Sequence, residues 1–188
     1  MPSERLQEIV SEISEHSKEI DSQSIEKVAK MCCEANRIFV AGTGRSGFAA
    51  RGFANRLMQL GFNAYFVGET TTTSIATGDL LVIGSGSGKT NSLSIDASVA
   101  KKLGAKLVTL TIYPEASIGK QADSIIVIPG ETPKDDDSGS KNSVTSMQPM
   151  GTLFEQLSWL TYDALVSELM EITGKTEKSM FLRHANLE

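Results

Sequence analysis

The sequence predicts a three-layer α/β/α sandwich, in which a five-stranded parallel sheet lies between layers of helices. Three observations support this fold class. Five short runs are continuous and apolar, as strands covered on both faces are. Helical stretches separate several of these runs, and strand–helix–strand repeats build parallel sheets. At 188 residues with 40% hydrophobic content, the chain is long enough for one sizeable core.

The first element is an amphipathic helical arm, long or broken, whose apolar residues recur at mostly helical spacing over residues 4–35. The five apolar runs follow at residues 38–43, 64–68, 80–85, 106–112 and 124–129. Helices that end at Gly61 and Gly104, both suited to a C-cap, precede the second and fourth runs. One long helix over 150–173 comes last.

We therefore expect a single domain with four parts. Residues 131–147 carry Pro, Ser, Gly and three consecutive Asp without an apolar period, which predicts a mobile surface loop. The four parts are a helical arm (1–36), an α/β core (37–130), this loop (131–147) and C-terminal helices with a tail (148–188).

Composition narrows the class of partner and the location. A net charge of -5 leaves no clustered excess of Lys and Arg, so we expect neither a nucleic acid nor a membrane as partner. The acidic N-terminus does not resemble a signal peptide, which predicts a cytoplasmic protein. Cys32 and Cys33 are adjacent, which suits neither a disulfide framework nor a metal site, and we expect buried reduced thiols.

Three polar loops follow predicted strands, where ligands of open parallel sheets usually bind. These loops are AGTGRSG (41–47), VGETTTTS (67–74) and GSGSGKT (84–90). The third ends as an ATP-binding P-loop does, but counting back from Gly88 puts Ile83 where the first Walker A glycine belongs. The first loop matches G-x-G-x-x-G, with Glu69 about 20 residues further on, so a dinucleotide site remains an alternative.

A single phosphate monoester fits the third loop better than a nucleotide does. Such a group needs short donors that converge on a few oxygens, namely hydroxyls and the free N–H groups of a helix N-terminus. Ser85, Ser87 and Thr90 supply hydroxyls at a predicted helix start. An ordinary polar turn with Thr90 as the helix N-cap is the alternative interpretation.

The motifs together resemble the sugar isomerase (SIS) domain family, whose members bind phosphosugars. The resemblance is carried by GTGRSG, SGSGKT and PMGTLFE, and by ARGFANRLMQLG, VGETTT and the terminal RHANLE, over nearly the whole chain. It implies a flavodoxin-like order of the sheet. Lys89 and the long acidic stretch 131–142 depart from the family pattern.

The full set of motifs is nearest to a member that interconverts D-arabino-hex-3-ulose 6-phosphate and D-fructose 6-phosphate, the second step of formaldehyde fixation by the ribulose monophosphate route. The resemblance implies a cis-enediol intermediate without a metal or redox cofactor, and 3-hexulose-6-phosphate synthase as the pathway partner. It also implies a homo-oligomer, and we expect a tetramer with sites near subunit boundaries. The alternatives are a non-catalytic phosphosugar sensor, or an isomerase of another sugar such as arabinose 5-phosphate or sedoheptulose 7-phosphate.

The resemblance assigns roles to individual residues. Glu155 in MGTLFE matches the glutamate that shuttles the proton, and His184 in RHANLE is expected to open the sugar ring or relay a proton, in its own subunit or a neighbour's. Ser85, Ser87 and Thr90 are expected to hold the phosphate. The other expected substrate-binding residues are Gly42, Thr43, Gly44, Arg45, Ser46, Arg51 and Glu69.

Overall fold

The structure, a computed structural model, describes residues 2–133 and 142–187. Its five strands form one parallel sheet in the order β2-β1-β3-β4-β5, which confirms the predicted fold class. The strands are β1 (Ile38–Gly42), β2 (Ala64–Phe66), β3 (Leu80–Gly84), β4 (Lys106–Thr111) and β5 (Ser124–Val127). Each lies within one of the five predicted runs.

Helices cover both faces of the sheet. The described α-helices are α1 (Glu4–His16), α2 (Ser22–Glu34), α3 (Gly44–Leu60), α4 (Asn91–Lys102), α5 (Thr152–Thr173) and α6 (Glu177–Phe181). Successive strand side chains point to opposite faces. Val40 and Val82 therefore pack with α2, α3 and α5 on one face, whereas Leu81 and Ile83 pack with α4 on the other.

The register of the two central strands places the first and third predicted loops side by side. Gly42, the last residue of β1, pairs with Gly84, the last residue of β3. All strands run in the same direction, so every loop that leaves a carboxyl end lies at one edge of the sheet. The helices that follow β1 and β3 consequently begin at neighbouring points of that edge.

The predicted N-terminal arm is broken in two by a 3-10 turn at Ser17–Glu19. α2 docks on the core through Val28 and Cys32, whereas no residue of α1 is buried. The prediction that both cysteines are buried is wrong for Cys33, which is exposed. Neighbouring positions of a helix point about 100° apart, so Cys33 faces away from the core that Cys32 joins.

The C-cap prediction is confirmed for Gly61, whereas the C-cap of α4 is Leu103, one residue before Gly104. Gly61 ends α3 and Gly104 follows α4, each with a positive φ, at 95° and 80°. Part of the predicted mobile loop, residues 134–141, lies outside the described residues. On its two sides Gly130 and Ser143 form a parallel β-bridge. No helix in the described part of the chain is long and apolar enough to cross a membrane.

Candidate active site

A cavity of about 370 Å³ lies at the carboxyl edge of the sheet, between the starts of α3, α4 and α5. This volume suits a small ligand. The cavity brings together most of the residues that the sequence pointed to. Those that line it are Thr43, Gly44, Arg45, Ser46, Ser85, Ser87, Thr90 and Glu155.

Backbone N–H groups at three helix starts provide donors at this cavity. Within the described residues, the N-cap positions Thr43, Thr90 and Gly151 of α3, α4 and α5 make no side-chain capping hydrogen bond. The first turn of a helix has N–H groups without an intrahelical partner, and the helix dipole places partial positive charge there. Three such starts around one cavity favour an anion as the ligand.

The helices away from the cavity differ in this respect. Ser3, Asp21 and Thr176 cap α1, α2 and α6, and each accepts a hydrogen bond from a backbone N–H of the first turn. The sequence therefore supplies ordinary caps where a helix start faces solvent. At the cavity the capping role of Thr90 that the alternative interpretation predicted is not seen, since its hydroxyl makes no capping bond in the described structure.

Ser85 and Ser87 contribute buried hydroxyls to the same wall. Ser85 Oγ is buried without a hydrogen-bond partner among the described residues, and Ser87 Oγ accepts from Lys89 N at 3.4 Å, a long bond. A buried polar group without a partner is costly, so it usually has a ligand or water to bind. Ser85 is therefore the hydroxyl in this wall that most needs an acceptor.

An ion pair joins the starts of α3 and α5. Arg45 Nη1 lies 2.6 Å from Glu155 Oε2. The side chain of Glu155 is 18% exposed to solvent, whereas the side chain of Arg45 is 56% exposed. Glu155 sits in the first turn of α5, where a carboxylate is favoured by the helix dipole. The cavity thus contains a positioned carboxylate with a cation beside it.

Gly42 has a structural role beside the cavity. A Cβ on Gly47 would lie 2.8 Å from Gly42 O, and a Cβ on Gly42 would lie 3.0 Å from Gly47 Cα. The two glycines let α3 approach the end of β1 closely, as the outer glycines of G-x-G-x-x-G loops do. Gly42 does not line the cavity, whereas Gly44 between them does.

Three other predicted residues lie elsewhere. Arg51 forms an ion pair with Glu69, and its guanidinium stacks over the Phe66 ring at 3.8 Å. Neither side chain lines the cavity, so the acidic residue that a dinucleotide site requires is paired with Arg51 outside it. His184 is exposed in the tail, with its ring 5.9 Å from the Phe181 ring.

Sequence reasoning missed half of the cavity wall. The lining residues to which it assigned no individual role are Gly84, Gly86, Glu131, Thr132, Pro133, Met150, Gly151 and Phe154. Residues 131–133 follow β5, and the rule that ligands bind at the carboxyl ends of strands also applies to that strand. Met150 and Gly151 belong to the PMGTLFE motif, from which only Glu155 was singled out.

Comparison with known proteins assigns the family. A model of the SIS domain matches residues 31–158, so the chain belongs to the SIS domain family, as its motifs predicted. The chain is 48% identical over 185 residues to 3-hexulose-6-phosphate isomerase of Bacillus subtilis, with 98% of each chain covered. It is 35% identical to 3-hexulose-6-phosphate isomerase of Mycobacterium gastri, with 94% of this chain and 86% of that protein covered.

A solved structure supports the same relationship. A hypothetical protein from Methanococcus jannaschii has 31% sequence identity and a TM-score of 0.82, over 99% of this chain and 100% of that one. Its crystal structure was described as inferring a molecular function of 3-hexulose-6-phosphate isomerase. The fold and the family are therefore consistent across sequence and structure.

Replacing Ser85 with Ala tests the anion site. We expect the affinity for inorganic phosphate to fall about tenfold or more, since a hydrogen bond to a charged group contributes roughly 1.5–3 kcal/mol. Without ligand the thermal stability should stay the same or rise, because an unpartnered buried hydroxyl is removed. Isothermal titration calorimetry and thermal unfolding measure the two effects.

Ser94→Ala is the matched control, because Ser94 is a half-buried serine of α4 that does not line the cavity, and its hydroxyl lies 2.9 Å from Ser117 Oγ. Its phosphate affinity should equal that of the unsubstituted protein. Equal affinities for Ser85→Ala and Ser94→Ala would contradict the assignment of this wall as the anion site.

Proposed function

We propose that this protein interconverts D-arabino-hex-3-ulose 6-phosphate and D-fructose 6-phosphate, the reaction of a 6-phospho-3-hexuloisomerase in the ribulose monophosphate route. The observation that carries the proposal is one cavity that holds both an anion-binding wall and the Glu155 carboxylate. The relatives from Bacillus subtilis and Mycobacterium gastri, both named for this reaction, support the choice of substrate.

In the proposed mechanism the 6-phosphate fixes the position of the sugar. Ser85, Ser87 and Thr90 hold its oxygens, together with N–H groups at the starts of α3 and α4. Binding of the phosphate determines which carbons of the sugar lie next to the catalytic carboxylate, so it also orients the reacting atoms. A metal or redox cofactor has no part in the proposed reaction.

Glu155 is the proposed acid/base. Its carboxylate takes the proton from C2 of the 3-ulose, the C3 carbonyl oxygen gains a proton, and a cis-enediol forms. Glu155 then returns the proton to C3 while the C2 hydroxyl loses its proton, which leaves the carbonyl at C2. Arg45 lies beside this carboxylate at 2.6 Å, where its charge also stabilises negative charge on the enediolate oxygens.

Replacing Glu155 with Gln keeps the shape and removes the base. We expect kcat to fall about 10²- to 10⁴-fold, the usual contribution of a positioned general base. Binding of fructose 6-phosphate should persist, because the anion wall is untouched. Coupled-assay kinetics measure the first effect and calorimetry measures the second.

Glu171→Gln serves as the control, since Glu171 is exposed in the last turn of the same helix. It should retain the kcat of the unsubstituted protein. A folded Glu155→Gln variant with near-normal kcat would overturn the assignment. Tight binding of fructose 6-phosphate by an unsubstituted protein that catalyses no isomerisation would favour the sensor.

The position of the tail favours a role for His184 in the cavity of another protomer. The preceding residue, Arg183, lies against Gly61 at the carboxyl end of α3, whereas Arg45 and Glu155 meet at its start. Seventeen helical residues separate those ends by roughly 25 Å. We therefore propose that His184 of one subunit relays a proton or opens the sugar ring in the site of a neighbour.

Exposed apolar side chains support assembly. Leu6 and Val10 on α1, and Phe181, Leu182 and Leu187 near the end of the chain, are all exposed in a single protomer. Apolar surface of this kind is commonly buried against another copy. We propose a cytoplasmic homotetramer with sites near subunit boundaries, which takes its substrate from 3-hexulose-6-phosphate synthase.

Mixing two inactive variants tests the shared site. Glu155→Gln lacks the base, and His184→Ala lacks the relay, but a mixed oligomer contains sites with Glu155 of one protomer and His184 of another. After dissociation and reassembly, the mixture should be more active than either variant alone. Activity in the mixture that equals the mean of the two variants would show that His184 does not act across the interface.

A further inference from the structure

The turn that leads into α5 has an unusual backbone. Met150 has a φ of 62°, and within the described residues it is the one non-glycine residue with a positive φ. Gly151, the N-cap of α5, follows with a φ of 86°. Two consecutive left-handed residues are unfavourable when one carries a side chain, and such strain persists only where the surrounding structure enforces it.

This turn leads directly into the first turn of α5, which carries Glu155. Gly151 O accepts the hydrogen bond from Glu155 N at 3.2 Å, so the turn and the first helical turn of α5 are directly connected. Met150 and Gly151 also line the cavity. A change in the φ of Met150 would therefore move the catalytic carboxylate relative to the phosphate wall.

Acceptors from distant parts of the chain hold the segment before the turn. Glu12 on α1 accepts twice at 2.9 Å, with Oε1 from Met147 N and with Oε2 from Gln148 Nε2. Glu131, after β5, accepts from Ser146 N at 3.3 Å. The segment is thus held at three consecutive residues, by one carboxylate 15 residues away and by another 135 residues or more away in sequence.

Glu12 makes this long-range contact from a helix that is largely exposed. No residue of α1 is buried, and the contact reaches across 135 residues of sequence to Met147. Partial burial raises the pKa of Glu12, but hydrogen bonds from Gln148 and Met147 outweigh this effect, so the pKa lies below its ordinary value. The ionised carboxylate is therefore the form that the folded protein favours.

We propose that Glu12 is a positioning residue, which holds the segment 146–148 so that the Met150–Gly151 turn aims Glu155 into the cavity. Glu12 does not line the cavity and acts through the turn. The kinetic part of this inference rests on the proposed isomerase function, whereas its structural part does not. The proposal gives α1, in which no residue is buried, a role in positioning the site.

Two substitutions of Glu12 test the proposal. Glu12→Gln keeps the shape and one oxygen acceptor, but it places an N–H group against one of the two donors, Met147 N or Gln148 Nε2. Glu12→Ala removes both acceptor oxygens. Glu15→Ala is the control, because Glu15 is exposed on the same helix. Hydrogen–deuterium exchange of peptides over 146–157, compared with peptides of β3 and α4, measures the local effect without reference to activity.

We expect both Glu12 variants to exchange faster over 146–157 and at the unsubstituted rate in β3 and α4. For fructose 6-phosphate, kcat should fall between about tenfold and a hundredfold, as small misplacements of catalytic groups do. KM should stay within about twofold, because the phosphate wall does not contact Glu12. Glu15→Ala should match the unsubstituted protein in every respect.

Two results would overturn the proposal. One is unchanged exchange over 146–157 in both Glu12 variants, and the other is uniformly faster exchange throughout the chain, which indicates general destabilisation. If the unsubstituted protein proves unable to isomerise fructose 6-phosphate, the proposed function fails by itself. The exchange measurement then still decides whether Glu12 positions the turn.

Discussion

Parallel pairing of the central strands is the constraint on which the site depends. Because β1 and β3 end side by side at Gly42 and Gly84, the helices that follow them start at the same edge of the sheet. None of the three helix starts at this edge uses a side-chain cap within the described residues, in contrast to α1, α2 and α6. Their N–H groups and the Ser85 hydroxyl form the wall that we propose binds the phosphate, and no lysine belongs to the described lining of the cavity.

That wall leaves the one cation of the cavity's described lining, Arg45, available to Glu155. The Arg45 side chain is more than half exposed, so solvent weakens its attraction to the mostly buried Glu155 carboxylate. Substrate oxygens can therefore replace Glu155 as partners of Arg45 at little cost. The same pairing keeps the carboxylate oriented while the cavity is empty. An ion pair that exchanges partners readily is compatible with the proposed role of Glu155 as a base.

The sheet could be predicted from the sequence because each strand is a continuous apolar run. The place of Glu155 at the cavity could be predicted because several motifs, each loose by itself, occur together in the order and spacing of the family. The rest of the site depends on contacts between distant residues. Glu12 accepts hydrogen bonds from Met147 and Gln148, which precede the turn at Met150, and no local pattern connects residues so far apart. Arg51 and Glu69 look like ligand-binding residues in their separate loops, whereas in the structure they pair with each other. Exposure of Cys33 likewise depends on how α2 is rotated against the core.

Deuterium incorporation into fructose 6-phosphate tests the central claim most directly, namely that a phosphate-anchored sugar presents C2 and C3 to Glu155. The substrate is incubated with the protein in D2O and followed by NMR. We predict that deuterium from solvent replaces the hydrogen at C3, while both hydrogens at C1 are retained, and that Glu155→Gln abolishes the exchange. Exchange at C1, or no exchange at any carbon, would contradict the account.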